Sequence, residues 1–276
     1  MKPSIVILTF NSVDSVSETL TRAQAISDDI HIVDSGSTDG TLELVEKSQA
    51  HVHHRNFISY SDQRNWAITT LPLRYSWQLH LDADESMSAT LQQEIRSLPE
   101  NPEVEGFFIK RYLRFLGRVL RHNLAPTWHM RLFQTGRGRC ETREYDQHFY
   151  CQGATSQLKG EMIDDITMSL SEWTARHNRW SDAEVRELLS KGNSERIKGN
   201  ISGNIVERKR FYRGIYDRSP LLFRAIALFF YRYIVKGGFL DGKEGFIFCI
   251  LQCLWFRFLV DAKLVEKSRE QTTKRP

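Results

Sequence analysis

Two aspartates one residue apart, Asp82 and Asp84, stand in "QLHLDADES", where a short apolar run opens onto a polar segment. Carboxylates so placed either solvate a turn or share a hard divalent cation with the phosphate oxygens of a ligand. Alternate residues on an extended strand face opposite ways, so the chain must turn at Ala83 if both are to serve one ion. A second polar cluster, "VDSGSTDGT" (residues 33–41), puts Asp34 at the end of another apolar run. The small residues after it let a ligand approach the backbone. A carboxylate there can accept the imide N–H of a uracil ring. The cluster has neither the spaced glycines of a dinucleotide fold nor the Gly-Lys ending of a phosphate loop. Asp39 reads equally well as a ligand-site residue and as part of a strand-to-helix turn with a good cap. Farther on, "CETREYDQHFY" (140–150) offers three groups able to take a proton, Asp146, Glu144 and His148. They either include a general base or only shape a loop. Arg131 in "WHMRLF" is a fixed fork of donors for a phosphate or a carboxylate. Arg176 and His177 in "RHNRW" either guard a diphosphate or acceptor or lie on a solvated helix face. His53 and His54 read as surface residues.

The elements that must position these groups alternate over the first hundred residues. Buried strands are predicted at 4–8, 30–33 and 77–81, with a short one at Val52. Helices are predicted over 13–25, through "TLELVEKS" with Thr38 or Asp39 as cap, over 63–71, and after a Ser88 cap. This order implies a mostly parallel sheet covered by helices, in which ligands bind beyond the carboxyl ends of the strands. Asn11, Asp34 and the Asp82–Asp84 pair all fall there. From residue 106 the pattern changes to strands broken by Gly and Arg, followed by a helix over 169–190. Residues 219–262 hold two apolar helical runs, the first interrupted by Arg224 and Arg232. The second has only 12 uncharged residues between Glu244 and Arg257, against the roughly 20 needed to span a bilayer. A hairpin of interfacial helices, or two helices packed as core, is expected.

A length of 276 residues with 41% hydrophobic and 26% charged residues fits one large domain, or a domain with an appendage. The four cysteines lack zinc spacing, and Cys249 and Cys253 read as one buried helix face. A reducing, cytoplasmic protein is expected, with the first apolar run too short for a signal peptide. Residues 201–276 carry 15 Lys and Arg against 7 Asp and Glu, a net +8, whereas the rest carries 23 against 27, a net −4. That asymmetry points to an anionic partner. The aromatic and aliphatic residues mixed into the basic end favour a membrane surface and no nucleic acid.

"VILTFN", "VDSGSTDGT", "QRNWA" and "LHLDADE", in this order and spacing, resemble the inverting family-2 glycosyltransferases of the GT-A fold. The pattern is nearest to bacterial lipopolysaccharide-core and surface-polysaccharide sugar transferases. The likeness covers roughly residues 3–180, and "YIVKGGFLDGKEGF" is similar to the tail of that subgroup. The resemblance implies an α/β fold: a Rossmann-like, nucleotide-sugar-binding, mostly parallel sheet flanked by helices. The catalytic domain would be 1–205. A basic, aromatic, amphipathic helical extension, 206–276, would sit at the membrane surface. Thr9, Asn11 and Asp34 would line the nucleoside pocket, and Gln63, Arg64 and Asn65 would close it. Asp82 would face the ribose or the metal shell, and Asp84 would bind Mg²⁺ or Mn²⁺. Relatives carry a His–Glu pair near this place, from which this chain departs with Asp-Gln-His; Asp146 is ranked ahead of Glu144 and His148 as base. The implied activity is a metal-dependent hexosyltransferase acting on a nucleotide sugar, UDP-linked. Its acceptor would be lipid-linked or lipopolysaccharide, at the inner face of the cytoplasmic membrane. The competing reading is a catalytically silent assembly protein on the same fold. A nucleotidyltransferase is disfavoured because "TFNSVDS" lacks a Gly-rich, basic loop.

Overall fold

Apolar runs of five or six residues, bounded by polar turns, build the centre of the sheet. The computed structural model describes residues 1–123, 126–143, 146–190 and 197–273, and Glu144 lies outside them. Two compact units divide the chain. The first comprises residues 1–114, 126–142 and 147–167. In chain order it holds β1 (Ser4–Thr9), α1 (Val16–Gln24), β2 (Ile30–Asp34), α2 (Thr41–Glu46) and β3 (His51–His54). Then come α3 (Tyr60–Thr70), β4 (Trp77–Asp82), β5 (Glu85–Met87), α4 (Ala89–Ser97) and β6 (Gly106–Phe115). After β7 (Arg118–Leu120), which belongs to the second unit, follow β8 (Thr127–Gln134), β9 (Arg139–Cys140), β10 (Phe149–Tyr150) and β11 (Thr155–Asp165).

The strand order is β3-β2-β1-β4-β8-β6-β11-β5, and β9 and β10 form a separate hairpin. Strands β3, β2, β1 and β4 are parallel, as the alternation with helices requires. Beyond them the sheet is mixed: β8 is antiparallel to β4 and β6, β11 is parallel to β6, and β5 is antiparallel to β11. The expected mostly parallel sheet therefore holds for half the strands, because helical crossovers stop after α4. Ile5, Ile7, Ile32 and Leu79 pack on Val16 and Leu20 of α1 and Leu91 and Ile95 of α4. Val6, Leu8 and Val33 face the other way, onto Ala67 of α3. The central strands are buried on both faces, as a helix-covered parallel sheet demands.

Ser59 and Ser88 cap α3 and α4 by accepting the amides of Asp62 and Leu91. Helix α2 differs from expectation. It starts after Gly40, at φ +96°, rather than from Thr38 or Asp39, although the Asp39 Oδ1 accepts the Thr41 amide at 3.0 Å. Strand β11 shifts register between Gln157 and Glu161, and Gly160 in that bulge lies against α4. A Cβ there would stand 2.4 Å from the Leu91 Cα. Gly160→Ala should cost about 1–3 kcal/mol of stability by forcing α4 off the sheet, read as a lower urea midpoint with an unchanged slope.

The second unit comprises residues 115–125, 143–146 and 168–276, so the compact division differs from the expected 1–205 and 206–276. The reason is α5 (Leu170–Leu189), opened by a Ser169–Glu172 capping box, which packs within this unit. Then come α6 (Ile205–Arg218) and α7 (Phe223–Phe230), whose last turn widens into a π-turn at Tyr231–Val235. A continuous 33-residue helix, Gly238–Glu270, contains α8 (Gly242–Phe248) and leads into α9 (Phe256–Thr273). By length and composition this helix is apolar enough to cross a membrane, where the second apolar run was expected to be too short. It is also partly core: 39% of its apolar window is buried, and Phe256 and Val260 pack on Val185 of α5. The Arg257 charge that shortened the predicted run is taken up by Glu184 of α5, 2.7 Å away.

Candidate functional site

Thr9 and Asp34 end neighbouring parallel strands and are register partners. The buried Asp34 carboxylate is fully used. Its Oδ1 accepts the amides of Gly36 (2.8 Å) and Ser37 (2.9 Å), and its Oδ2 accepts the hydroxyls of Thr9 (2.9 Å) and Ser37 (2.5 Å). Burial alone would raise its pKa, but these four donors hold it below the usual carboxylate value. Asn11, at φ +47°, accepts the Thr38 amide and donates its own amide to the Ser37 hydroxyl. Asp39 holds Thr41 and the Val13 amide, which makes it structural. Gln63 of α3 donates to the Ser35 hydroxyl at 2.7 Å. The expected nucleoside residues Thr9, Asn11 and Asp34 are thus brought together in one tied pair of strand-end loops, and Gln63 reaches them from α3 through Ser35. Phe10, 60% exposed between Thr9 and Asn11, adds an aromatic face that sequence reasoning missed.

The chain turns at Ala83–Asp84, as two cooperating aspartates require. Asp82 accepts Arg64 of α3 (2.6 Å) and Arg131 of β8 (2.9 Å). Arg131 also donates to Glu85 (2.5 Å), and Glu85 accepts the Asp82 amide (3.0 Å). Arg111 of β6 bridges Glu85 (3.3 Å) and Asp164 of β11 (3.0 Å). Against a burial cost, Arg64, Arg131 and Arg111 hold Asp82 well below the usual carboxylate range. Asp84 behaves oppositely. Burial, then the neighbouring charges of Asp164, Asp82 and Glu85, push it well above that range. Among the described residues no side chain donates to its carboxylate. Asp164 is likewise raised, to about 6, by burial and by Glu85 and Asp82, although Arg111 opposes the shift.

Among the described residues no three His, Cys, Asp or Glu side chains form a closed metal cage. A half-buried aspartate without a cation partner, beside a second aspartate and further acids, still fits a hard cation. Such an ion takes one or two carboxylates and keeps its other positions for water and phosphate. Glu85, Arg111 and Asp164 escaped the sequence reading. Glu85 sits inside the quoted motif, and Asp164 announces itself only as a carboxylate at a strand end.

Several expected ligand contacts are already occupied. Arg131 is committed to Asp82 and Glu85, so it pairs with carboxylates instead of meeting a phosphate directly. The Asn65 side-chain amide donates to the Cys140 carbonyl and accepts the Cys140 amide, both at 2.9 Å, and so pins β9. His148 is buried, its amide on Glu141 and its ring stacked on His129. Arg64 and Arg131 both lie over the Phe149 ring.

In the second unit Asp146 has φ +55° and accepts Arg210 (2.7 Å) and Lys209 (3.0 Å) of α6. Arg176 lies over the Trp180 ring. His177 is neither on a solvated face nor at an anion site. It is buried, stacked on Trp173, with Nδ1 on the Trp173 carbonyl and Nε2 at 3.0 Å from the Gln252 amide. Burial lowers its pKa to about 4, so it is a neutral core residue at pH 7. Because the unfolded chain binds this proton near 6.5, the stability it supports is intact above 6.5 and lost as pH falls towards about 4. His177→Gln should flatten that limb of a stability–pH curve measured by urea unfolding.

Residues 4–158, more than half of the chain, match the family described as Glycosyl transferase family 2. An uncharacterized glycosyltransferase of Rickettsia bellii is 25% identical, over 97% of this chain and 87% of its own length. The lipopolysaccharide core biosynthesis glycosyltransferase LpsC of Rhizobium meliloti is 23% identical over 87% of this chain and 83% of its own. Among solved structures, S. aureus TarS 1–349 in complex with UDP-GlcNAc is 15% identical, with a TM-score of 0.49, covering 99% of this chain and 92% of that one. With the family pattern running through the tied loops and the Asp82–Asp84 turn, the chain belongs to glycosyl transferase family 2.

Proposed function

We propose that this glycosyltransferase moves a hexose, with inversion, from a UDP-sugar to a lipid-linked or lipopolysaccharide acceptor at the inner face of the cytoplasmic membrane. The observation that carries the donor half is Asp84, a half-buried carboxylate without a cation partner among the described residues, one turn from an aspartate locked by two arginines. Asp84, with Asp82 through water or the ribose, would hold Mg²⁺ or Mn²⁺. Once bound, the cation neutralises the charge that grows on the leaving diphosphate. Arg64 and Arg131 fix the Asp82 oxygens and keep them ionised. The Phe10 ring offers a stacking face for the base. The imide N–H would reach Asp34 by taking the place of the Thr9 or Ser37 hydroxyl, whose protons can rotate away. For the acceptor proton we assign Asp146, whose carboxylate Arg210 and Lys209 hold in place. The name of the relative LpsC supports a lipopolysaccharide acceptor.

The test is incubation of the purified chain with radiolabelled nucleotide sugars and Mn²⁺. Slow hydrolysis or transfer from a UDP-sugar is expected. Absence of both turnover and donor binding across the donor set would overturn the proposal.

A further inference from the structure

The helix from Phe223 to Val235 is inside out. Of its two charged residues, Arg224 is 5% exposed, with Nε and Nη2 on the Asp261 carboxylate at 2.8 and 2.5 Å, and the half-buried Arg232 donates to the Asn123 carbonyl at 3.3 Å. Several of its large apolar residues face outward: Phe223 is 72% exposed, Phe230 57% and Ile234 53%. With Ile226 they repeat at intervals of three and four residues, so they line one side of the helix. In α6, Tyr212 and Ile215 are exposed as well. Soluble proteins seldom leave so much contiguous apolar surface to water unless a partner covers it.

The charges around that surface have one sign. Between residues 205 and 243 the exposed charged side chains are Arg208, Lys209, Arg218, Lys236 and Lys243. The acids of the stretch are used elsewhere. Glu207 closes the α6 capping box, Asp217 holds Arg213, and the buried Asp241 accepts the Arg121 and His122 amides. A second copy of the chain would bring the same positive charges against this face. A bilayer carrying anionic headgroups matches both its apolar side and its basic fringe.

We infer that the second unit docks on an anionic bilayer through the outward side of the Phe223–Val235 helix and the adjoining exposed residues of α6. Docking is shallow. The Arg224–Asp261 and Arg257–Glu184 ion pairs turn the charged sides of these helices into the unit, leaving one apolar side for the acyl boundary. This deepens the membrane part of the function proposed above and identifies the surface that would perform it.

The full chain should float with vesicles of phosphatidylcholine and phosphatidylglycerol, less with phosphatidylcholine alone, and less at high salt. Phe223→Ser, Phe230→Ser and Ile234→Ser combined should lower the bound fraction about ten-fold or more, with circular dichroism unchanged. Lys236→Glu with Arg218→Glu should remove the phosphatidylglycerol preference while leaving the fold intact. The inference is overturned if the wild-type chain stays with the soluble fraction, or if the triple variant binds as before. A wild-type dimer in sedimentation velocity that the triple variant abolishes would assign the face to a second copy, and overturns it too. UDP binding is measured on the same preparations. Vesicle binding without UDP binding overturns the donor reading alone, and UDP binding without vesicle binding overturns the docking surface alone.

Discussion

Replacing Asp84 with Asn is expected to abolish sugar transfer and to raise the melting temperature of the ligand-free protein. The two effects have one cause. Asp84 carries its charge into a place where burial, Asp164, Asp82 and Glu85 all oppose it. A folded-state pKa above the unfolded 3.8 means that the folded chain binds this proton more tightly. The stability Asp84 contributes is therefore present below 3.8 and lost as pH rises through its folded value. Asp164 adds a loss of the same sign between 3.8 and about 6. The wild-type melting temperature should fall across that range, and the Asn variant should fall less. Turnover should drop by about 10²–10³-fold or more, the scale seen when a group that stabilises developing charge is removed. Adding Mn²⁺ with UDP should raise the wild-type melting temperature and leave the variant's where it was. A variant that melts lower than wild type, or that keeps most of its turnover, would show that Asp84 is an ordinary structural carboxylate.

Arg131→Met should be the most destabilising of these substitutions, at about 3–5 kcal/mol, because it leaves buried acids without their cation. Arg131 donates to both Asp82 and Glu85, and Glu85 is fully buried. Arg64 and Arg111 cannot take over, since each already holds one oxygen of the pair. Urea unfolding gives the number. Adding Glu85→Gln removes one of the stranded charges, so the double variant should cost about 0.5–3 kcal/mol less than the sum of the two singles. A single-variant cost below about 1 kcal/mol would mean that the pair contributes no more than a surface ion pair.

The parallel half of the sheet was legible because each strand is an apolar run followed by a polar turn. "SIVIL" and "WQLHL" became β1 and β4 almost to the residue. Asp34 and the Ala83 turn were legible for the same reason: a strand end fixes where a side chain can go. The charge network was not. Arg111 and Asp164 lie 26 or more residues from Glu85, and only the order β8-β6-β11-β5 places β11 beside β5 and β6 next to β11. The pairing of Asn65 with the Cys140 backbone was not legible either, because 75 residues separate the two. In the C-terminal helices, Arg224 read only as an interruption of an apolar run. Its partner Asp261 stands 37 positions later, too far for any local pattern to reveal. His177 was misplaced likewise, because Gln252, 75 positions away, lies in another helix of the same core.

The strand order closes at both ends on fragments. β3 has four residues, three of them histidines, and β5 has only three residues. Short, polar edges give an incoming chain too few free amides and carbonyls to pair with. Recognition by strand addition, a common way to read extended peptides, is thereby denied to this sheet. Whatever the enzyme holds must be gripped by loops and helices, and the same blunt edges keep the sheet from stacking edge to edge in a crowded cell.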